Sequence, residues 1–350
     1  MIKTFQFRVK DSTIAKHLAA HARTVNWIWN FCNDTQKHAL KWNKRWPTGF
    51  DLSNLCAGSS KELRLHSQTV QAICETYAAR RSEKCRPFLR YRGKRHTGWI
   101  PFKASGIKLK ENGFAYGGRL YKAWVPRPIP EGAKVKTGSF SQDARGCWYI
   151  NITCNVPVEA GEIGTKELGI DLGLKDFAGF SDEALENVEA QLFYRDLEPA
   201  LAISQRANKK RRTKAIHAKI ANRRKDFLHK LSTRIVREYG FISIGNVSSA
   251  KLAKTGIGKS VLDAGWSMFR SMCVYKAVAH RAYVNEPDER FSTQDCNVCE
   301  ARTGPKGLSG LGIREWVCSK CGTCHQRDRN SAKNILRRGR ATLAVGIPVL

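Results

Sequence analysis

The sequence predicts two structural halves. The first is an antiparallel sheet or small barrel interrupted by helices, and the second is an α/β domain with partly parallel strands. Three observations predict this. Residues 2–9 alternate like a strand, and a second β-rich region follows at about 107–158 with helical periodicity between them. The pattern changes near Gly161 to the order strand, strand, helix, strand, helix, strand, helix, which favours parallel pairing. Five cysteines crowd positions 296–324, inside the second half.

Element by element, the chain opens on Ile2-Lys-Thr-Phe-Gln-Phe, an alternating strand rather than a signal peptide. From Ser12 to Trp42 the apolar positions Leu18, Val25, Ile28 and Trp29 recur at helical spacings, until Pro47-Thr-Gly breaks the pattern. A second helix is expected over about 60–81, and then a basic loop over 85–103. The runs GFAYGG and CWYINITCNV, between Gly and Pro turns, read as sheet. ELGIDLGLKDFAGFSD (167–182) reads as strand, tight turn, strand. Residues 199–239 read as one long basic helix and FISIGNV (241–247) as a short buried strand. A helix follows over about 261–280, then a strand leading to Glu289, and a last helix over about 330–338.

Composition bounds the partners. The 350 residues carry 61 Lys+Arg against 30 Asp+Glu, a net charge of +31, so the partner is a polyanion, either nucleic acid or an anionic membrane surface. At 42% apolar residues the chain can bury a real core. No run approaches the ~18 apolar residues of a membrane span, so an intracellular nucleic-acid binder is expected. Ten of the basic residues fall between Leu201 and Lys225, a stretch with no acidic residue. Arg206, Lys209, Lys210, Arg211, Arg212, Lys214, Lys219, Arg223, Arg224 and Lys225 lie there. Uncompensated positive charge repels itself, which makes a phosphate backbone a better partner than bulk water. Arg90 and Arg92, in the loop from Arg86 to Arg95, are further backbone candidates. Trp27, Trp29, Trp42 and Trp46 are either helix core or base-stacking groups.

Of the 12 cysteines, Cys32, Cys56, Cys74, Cys85, Cys147, Cys154 and Cys273 are scattered and read as small buried thiols. Cys296-x2-Cys299, eighteen residues, then Cys318-x2-Cys321 is the spacing of a four-thiolate zinc site. Four protein ligands leave no open position, so such a zinc is structural. Cys324 and His325 lie close enough in sequence to compete as ligands.

Asp171 ends an apolar strand and Asp328 begins the last helix. A first-strand and a last-helix Asp are two-thirds of an RNase H-like acidic site, in which carboxylates hold two Mg²⁺ on a phosphodiester. The segments GIDLGLKDFAGFSD, DFLHKLSTRIVREYG, SVLDAGWSMFRSM and CNVC…CSKCGTCHQRDRNSAKNIL resemble the TnpB family. These are RNA-guided DNA endonucleases of insertion sequences, often labelled OrfB transposases and similar to type V CRISPR effectors. The resemblance is strong over 161–340 and weaker over 1–160.

The resemblance implies a RuvC/RNase H-like nuclease domain (161–290 and 326–341) with an inserted zinc ribbon (291–325) and a C-terminal tail (342–350). It implies a wedge-like β-barrel (1–10 and 97–160) interrupted by a helical recognition domain (11–96). It further implies a guide RNA, a double-stranded DNA target beside a short motif, two Mg²⁺ and one structural Zn²⁺. The expected form is a monomeric cytoplasmic, nucleoid-associated ribonucleoprotein. Asp171 and Asp328 match the first and last carboxylates of the family site. The basic stretch would line the channel for the guide–target heteroduplex.

One position departs from the family. Glycine, Gly245, stands where the central strand usually ends in Glu. Either the chain binds its target without cutting, as a repressor, or another carboxylate has taken the role. Some TnpB lineages and their eukaryotic relatives carry a relocated Glu just before the first CxxC, and Glu289 in ERFSTQDC stands there. A parallel strand ~4.8 Å from the central one would bring it to the same ions. Glu286 is the second candidate, though three residues apart the two would face opposite sides of a regular strand. A cut-and-paste transposase is a third reading of the acidic site.

Overall fold

The computed structural model describes residues 1–10, 12–93, 96–157, 164–307 and 309–344. The chain forms two compact units, Met1–Pro157 and Val158–Leu350.

In the first unit, β1 (Ile2–Val9) is followed by three helices: α1 (Ser12–Lys41), α2 (Gly49–Leu55) and α3 (Ser67–Glu83). Six strands come next: β2 (Trp99–Lys103), β3 (Ile107–Lys110), β4 (Gly113–Tyr116), β5 (Arg119–Trp124), β6 (Lys134–Gln142) and β7 (Trp148–Asn155). The seven strands form one sheet in the order β2-β6-β7-β1-β5-β4-β3, and each neighbouring pair is antiparallel. Its two edge strands, β2 and β3, are joined by only the 3₁₀ turn Ala104–Gly106, so the sheet must curl until its edges meet, the geometry of a barrel. Phe102, Tyr116, Tyr121 and Phe140 fill the interior, with Tyr121 and Phe140 at 4.8 Å between ring centres. The barrel and helices therefore match the expected first half.

Two local readings change. The second helix begins at Ser67, not near 60, where His66 caps it by accepting a bond from the Gln68 amide. Helix α2 was not expected. Thr48 and Asp51 make a reciprocal capping box that starts it directly after the Pro47 break.

The second unit begins with β8 (Lys166–Leu172), β9 (Asp176–Phe180) and β10 (Val188–Glu189). Helices α4 (Glu198–Arg206) and α5 (Lys210–Glu238) follow, then β11 (Tyr239–Ile244). Next come α6 (Ser249–Leu252), α7 (Gly258–Ala264), α8 (Trp266–His280) and β12 (Tyr283–Asn285). The chain then runs through β13 (Glu315–Val317) and β14 (Cys324–Gln326) into α9 (Arg327–Ala344). The main sheet has the order β10-β9-β8-β11-β12. Strand β11 is parallel to both β8 and β12, and β9 is antiparallel to β8. This is the RNase H-like arrangement, with Leu168, Ile170, Phe180, Ile242 and Ile244 as its buried spine. Helix α9 lies directly on β8 because Gly169 has no side chain. A Cβ there would run into the Ala332 carbonyl.

Three element boundaries differ from the sequence reading. The long basic helix is two helices, broken where Asn208 takes a left-handed turn (φ 50°). The strand expected to reach Glu289 ends at Asn285, because Pro287 cannot donate to a ladder. The last helix starts at Arg327 and reaches Ala344, so the expected tail is helical over 342–344, and 345–350 lie outside the described residues. None of the described helices is long and apolar enough to cross a membrane.

Candidate functional site

The cysteine block folds as the expected ribbon. The Sγ atoms of Cys296, Cys299, Cys318 and Cys321 all lie within 4.8 Å of one another. Each CxxC turn is closed the same way. The amide of Glu300 donates to the Cys296 carbonyl and that of Gly322 to the Cys318 carbonyl, both closing residues having positive φ (62° and 73°). The Thr303 hydroxyl donates to Cys318 Sγ at 3.2 Å and holds that thiol down at about 6, so it ionises readily. Cys324 is exposed and stands outside the group. His325 is buried against Trp316, with Nε2 3.0 Å from Cys296 Sγ, where it supports a ligand from behind rather than replacing one. The set has the make-up of a closed zinc ribbon.

The carboxylates come from three distant segments. Asp171 is the penultimate residue of β8, and Asp328 sits in the first turn of α9. Glu289 sits in the turn beyond β12. Burial pushes the Asp171 carboxyl up to about 7, and the nearby charges of Glu289 and Asp328 push it the same way, against a hydrogen bond from Ser331. Glu289 is also raised, chiefly by burial, while Arg270 opposes the shift. Asp328 accepts two bonds from Arg314 Nη1, at 3.0 and 3.2 Å.

Gly245 gives the arrangement its sense. A Cβ built on it would stand 2.5 Å from Glu289 Oε2. Glu289 thus puts its carboxylate at the end of the central strand, in the space that a side chain at 245 would fill. Its backbone amide is held by Asn246 Oδ1 at 3.3 Å. Asn330 and Asn334, one turn apart on α9, both donate to the carbonyls of Ser292 and Asp295 and pin the following loop. The Ser331 and Ser292 hydroxyls meet at 2.7 Å beneath it. Arg270 braces the other side by donating to the carbonyls of Gly245 and Val247, both at 3.1 Å. Glu286, the second candidate, is half-exposed and faces Arg270 Nε at 3.5 Å. No sequence cue exposes Arg270 or Arg314 as neighbours of the site. The N-x3-N spacing of 330 and 334 is the one cue that marks a polar face on α9.

Three buried or repelling carboxylates against partial cation cover are a donor set suited to a hard divalent ion. Among the described residues, the four cysteines are the one group of three or more such side chains with ligand atoms all within 4.8 Å. The carboxylates are more open, with Asp328 turned to Arg314.

The basic residues sort into two kinds. Arg206, Lys209, Lys210, Arg211, Arg212, Lys214, Lys219, Arg223 and Lys225 are exposed on α4, α5 and the turn between them, as is Arg90 in the first unit. Two expected phosphate contacts are spent internally. Arg224 pairs with Asp263 at 2.7 Å and also donates to its carbonyl. Arg92 is buried with its guanidinium 3.5 Å from the centre of the Trp29 ring, where stacking and burial outweigh exposure to a ligand. Trp29 is core as well, whereas Trp27, Trp42 and Trp46 are exposed. Lys94 and Arg95, in the same expected contact loop, lie outside the described residues.

Comparison with known proteins finds family models, relatives and a solved structure that this chain resembles. Residues 151–255 match the family described as "Probable transposase" (OrfB_IS605), and residues 266–335 match "Cas12f1-like, TNB domain". A Streptomyces pristinaespiralis protein named "Putative RNA-guided DNA endonuclease" is 34% identical over 232 residues, 63% of this chain and 57% of that protein. An Escherichia coli (strain K12) protein with the same description is 28% identical over 239 residues, 61% of this chain and 58% of that protein. A mimivirus "TnpB-like protein" is 26% identical over 197 residues, 49% of this chain and 37% of that protein. The chain thus spans little more than half the length of the first two relatives. A solved Cas12f1–sgRNA–target DNA complex shares the fold over 93% of this chain and 83% of its own, with a TM-score of 0.60 at 10% identity.

Proposed function

We propose that the protein is an RNA-guided DNA endonuclease of the TnpB type, on the premise of its matches to the OrfB_IS605 model over 151–255 and the Cas12f1-like TNB model over 266–335. It binds a guide RNA and cuts complementary double-stranded DNA beside a short motif. Asp171, Glu289 and Asp328 hold two Mg²⁺, and Cys296, Cys299, Cys318 and Cys321 hold one structural Zn²⁺. The observation that carries this reading is the Glu289 carboxylate lying in the space opened by Gly245. An inactive site has no physical need for a second carboxylate there, at the cost of burying it beside Asp171.

The chain's own residues contribute in three ways. Asp171, raised to about 7, and Glu289, also raised by burial, are groups at which a bound cation competes with protons for the same oxygens. Asn246, Asn330, Asn334 and Arg270 fix the Glu289 loop. The exposed cations of α4 and α5 bind phosphates without reading sequence. Bound there, the two Mg²⁺ would activate the attacking water and stabilise the leaving oxygen.

The test is cleavage of a plasmid library by protein co-purified with its RNA, with the matched target beside randomised bases. Mg²⁺-dependent linearisation is expected. Plasmid that binds but stays uncut would instead support the second reading, an RNA-guided regulator without nuclease activity, which the bare Gly245 position favours.

A further inference from the structure

We infer that Arg314 is a counter-cation built into the carboxylate group, one that a divalent ion must displace to reach Asp328. The inference rests on the proposal that Asp171, Glu289 and Asp328 bind metal. Arg314 enters from the ribbon, just before β13, and its carbonyl is anchored by the Arg327 amide at 2.7 Å. Its Nη1 lies 3.0 and 3.2 Å from the two carboxylate oxygens of Asp328, so both oxygens are engaged by one guanidinium. Among the described residues, the other two carboxylates have no such partner. Asp171 leans on a neutral Ser331 hydroxyl and on the more distant charge of Arg327, whose Nη1 is bound to the Gly310 carbonyl. Arg270 reaches Glu289 through charge alone, with its hydrogen bonds on backbone carbonyls.

Among the described residues, Asp328 is thus the single member of the three whose oxygens are covered by a cation. A guanidinium and a divalent ion on the same two oxygens repel each other, and one must leave. Arg314 can leave without unfolding anything. Its side chain is about a third exposed, its anchor is the backbone, and no other hydrogen bond holds the guanidinium among the described residues. The ion pair therefore stabilises the empty site and is lost when the site fills. It raises the metal concentration needed and ties Asp328 to the ribbon until then.

The experiment is Mn²⁺ binding to the full-length, zinc-loaded protein without nucleic acid, read as free Mn²⁺ by electron paramagnetic resonance. Removing a partly exposed pair should tighten Mn²⁺ binding by about fivefold in Arg314→Ala, with Arg314→Lys between it and the wild type. Zinc content and thermal unfolding report whether each variant is folded, and Arg314→Lys keeps the test open if Arg314→Ala is not. Folded Arg314 variants that bind Mn²⁺ as the wild type does, or more weakly, overturn the inference. Asp171→Asn separates the two failures. If it weakens Mn²⁺ binding while the Arg314 variants change nothing, the carboxylate site stands and the counter-cation does not. If it leaves Mn²⁺ binding unchanged, the carboxylate site falls and the inference with it.

Discussion

The cysteine group and the carboxylate group lie in the same unit and are built in opposite ways. The cysteines come from two short turns that each close on themselves, and their four sulfurs converge within 4.8 Å. The carboxylates come from positions 171, 289 and 328, and they converge only because the sheet, α9 and the 289–297 loop pack together. The first group would assemble wherever its ribbon folds. The second depends on the register of α9 on β8 and on Asn330 and Asn334 holding a loop. A local site tolerates change elsewhere in the domain, whereas a convergent site inherits every error in packing.

The largest expected effect removes one group and spares the other. Asp171→Ala should abolish cutting while zinc stays at one per chain by elemental analysis and RNA binding is kept. Cutting that survives would place the chemistry elsewhere. The converse, Cys318→Ser, should release zinc and lower the melting temperature, and cutting should fall with it because the ribbon delivers the loop that carries Glu289.

Next in size is the choice of third carboxylate. Glu289→Ala should lose cutting, and Glu286→Ala should leave it close to wild type, since Glu286 faces Arg270. Equal losses would show that the loop matters more than the carboxylate. A smaller effect is expected from Gly245→Ala, whose new methyl would push on Glu289 Oε2 from 2.5 Å. A displaced ligand should raise the Mg²⁺ needed for half-maximal cutting by about tenfold, a loss of ~1.4 kcal/mol.

The pH dependence separates the groups more gently. Asp171 has a folded-state value raised from its ordinary 3.8 to about 7. Its contribution to metal-free stability is present below about pH 4 and is lost as pH rises through 7. The wild type should therefore lose more stability between pH 5 and 8 than Asp171→Asn does, as followed by thermal unfolding. Protection by Mg²⁺ should grow over the same window as protons leave. The smallest effect concerns the basic helix. Arg211→Ala should weaken RNA binding and reduce the salt slope by about one. Arg224→Ala should instead act through stability, because its guanidinium belongs to Asp263.

Much of the second unit was legible in sequence because its signals are short-range. Two CxxC pairs announce a tetrahedral site by spacing alone. An Asp at the end of an apolar strand and another at a helix start are local patterns as well, and the resemblance to TnpB proteins joined them. Glu289 was reachable only as a candidate, since nothing in the chain says that a turn beyond β12 folds back to Gly245. Arg92 and Arg224 were misread for a related reason. A cation in a basic run carries no mark of whether it meets an aromatic face, an aspartate or solvent.

The sequence by itself determined the elements whose forces act within a few residues: the alternating strands of the first half, the two cysteine turns and the charge on α5. Tertiary structure alone decided that the edges of the first sheet meet, that Gly169 lets α9 lie on β8, that Glu289 fills the space at Gly245, and that Arg314 covers Asp328. The sheet edges are joined by a short turn. The other outcomes depend on excluded volume and on charge acting between segments from 14 residues apart, at Arg314 and Asp328, to more than a hundred apart, at Gly169 and Ala332. Only the packed chain brings those segments within range.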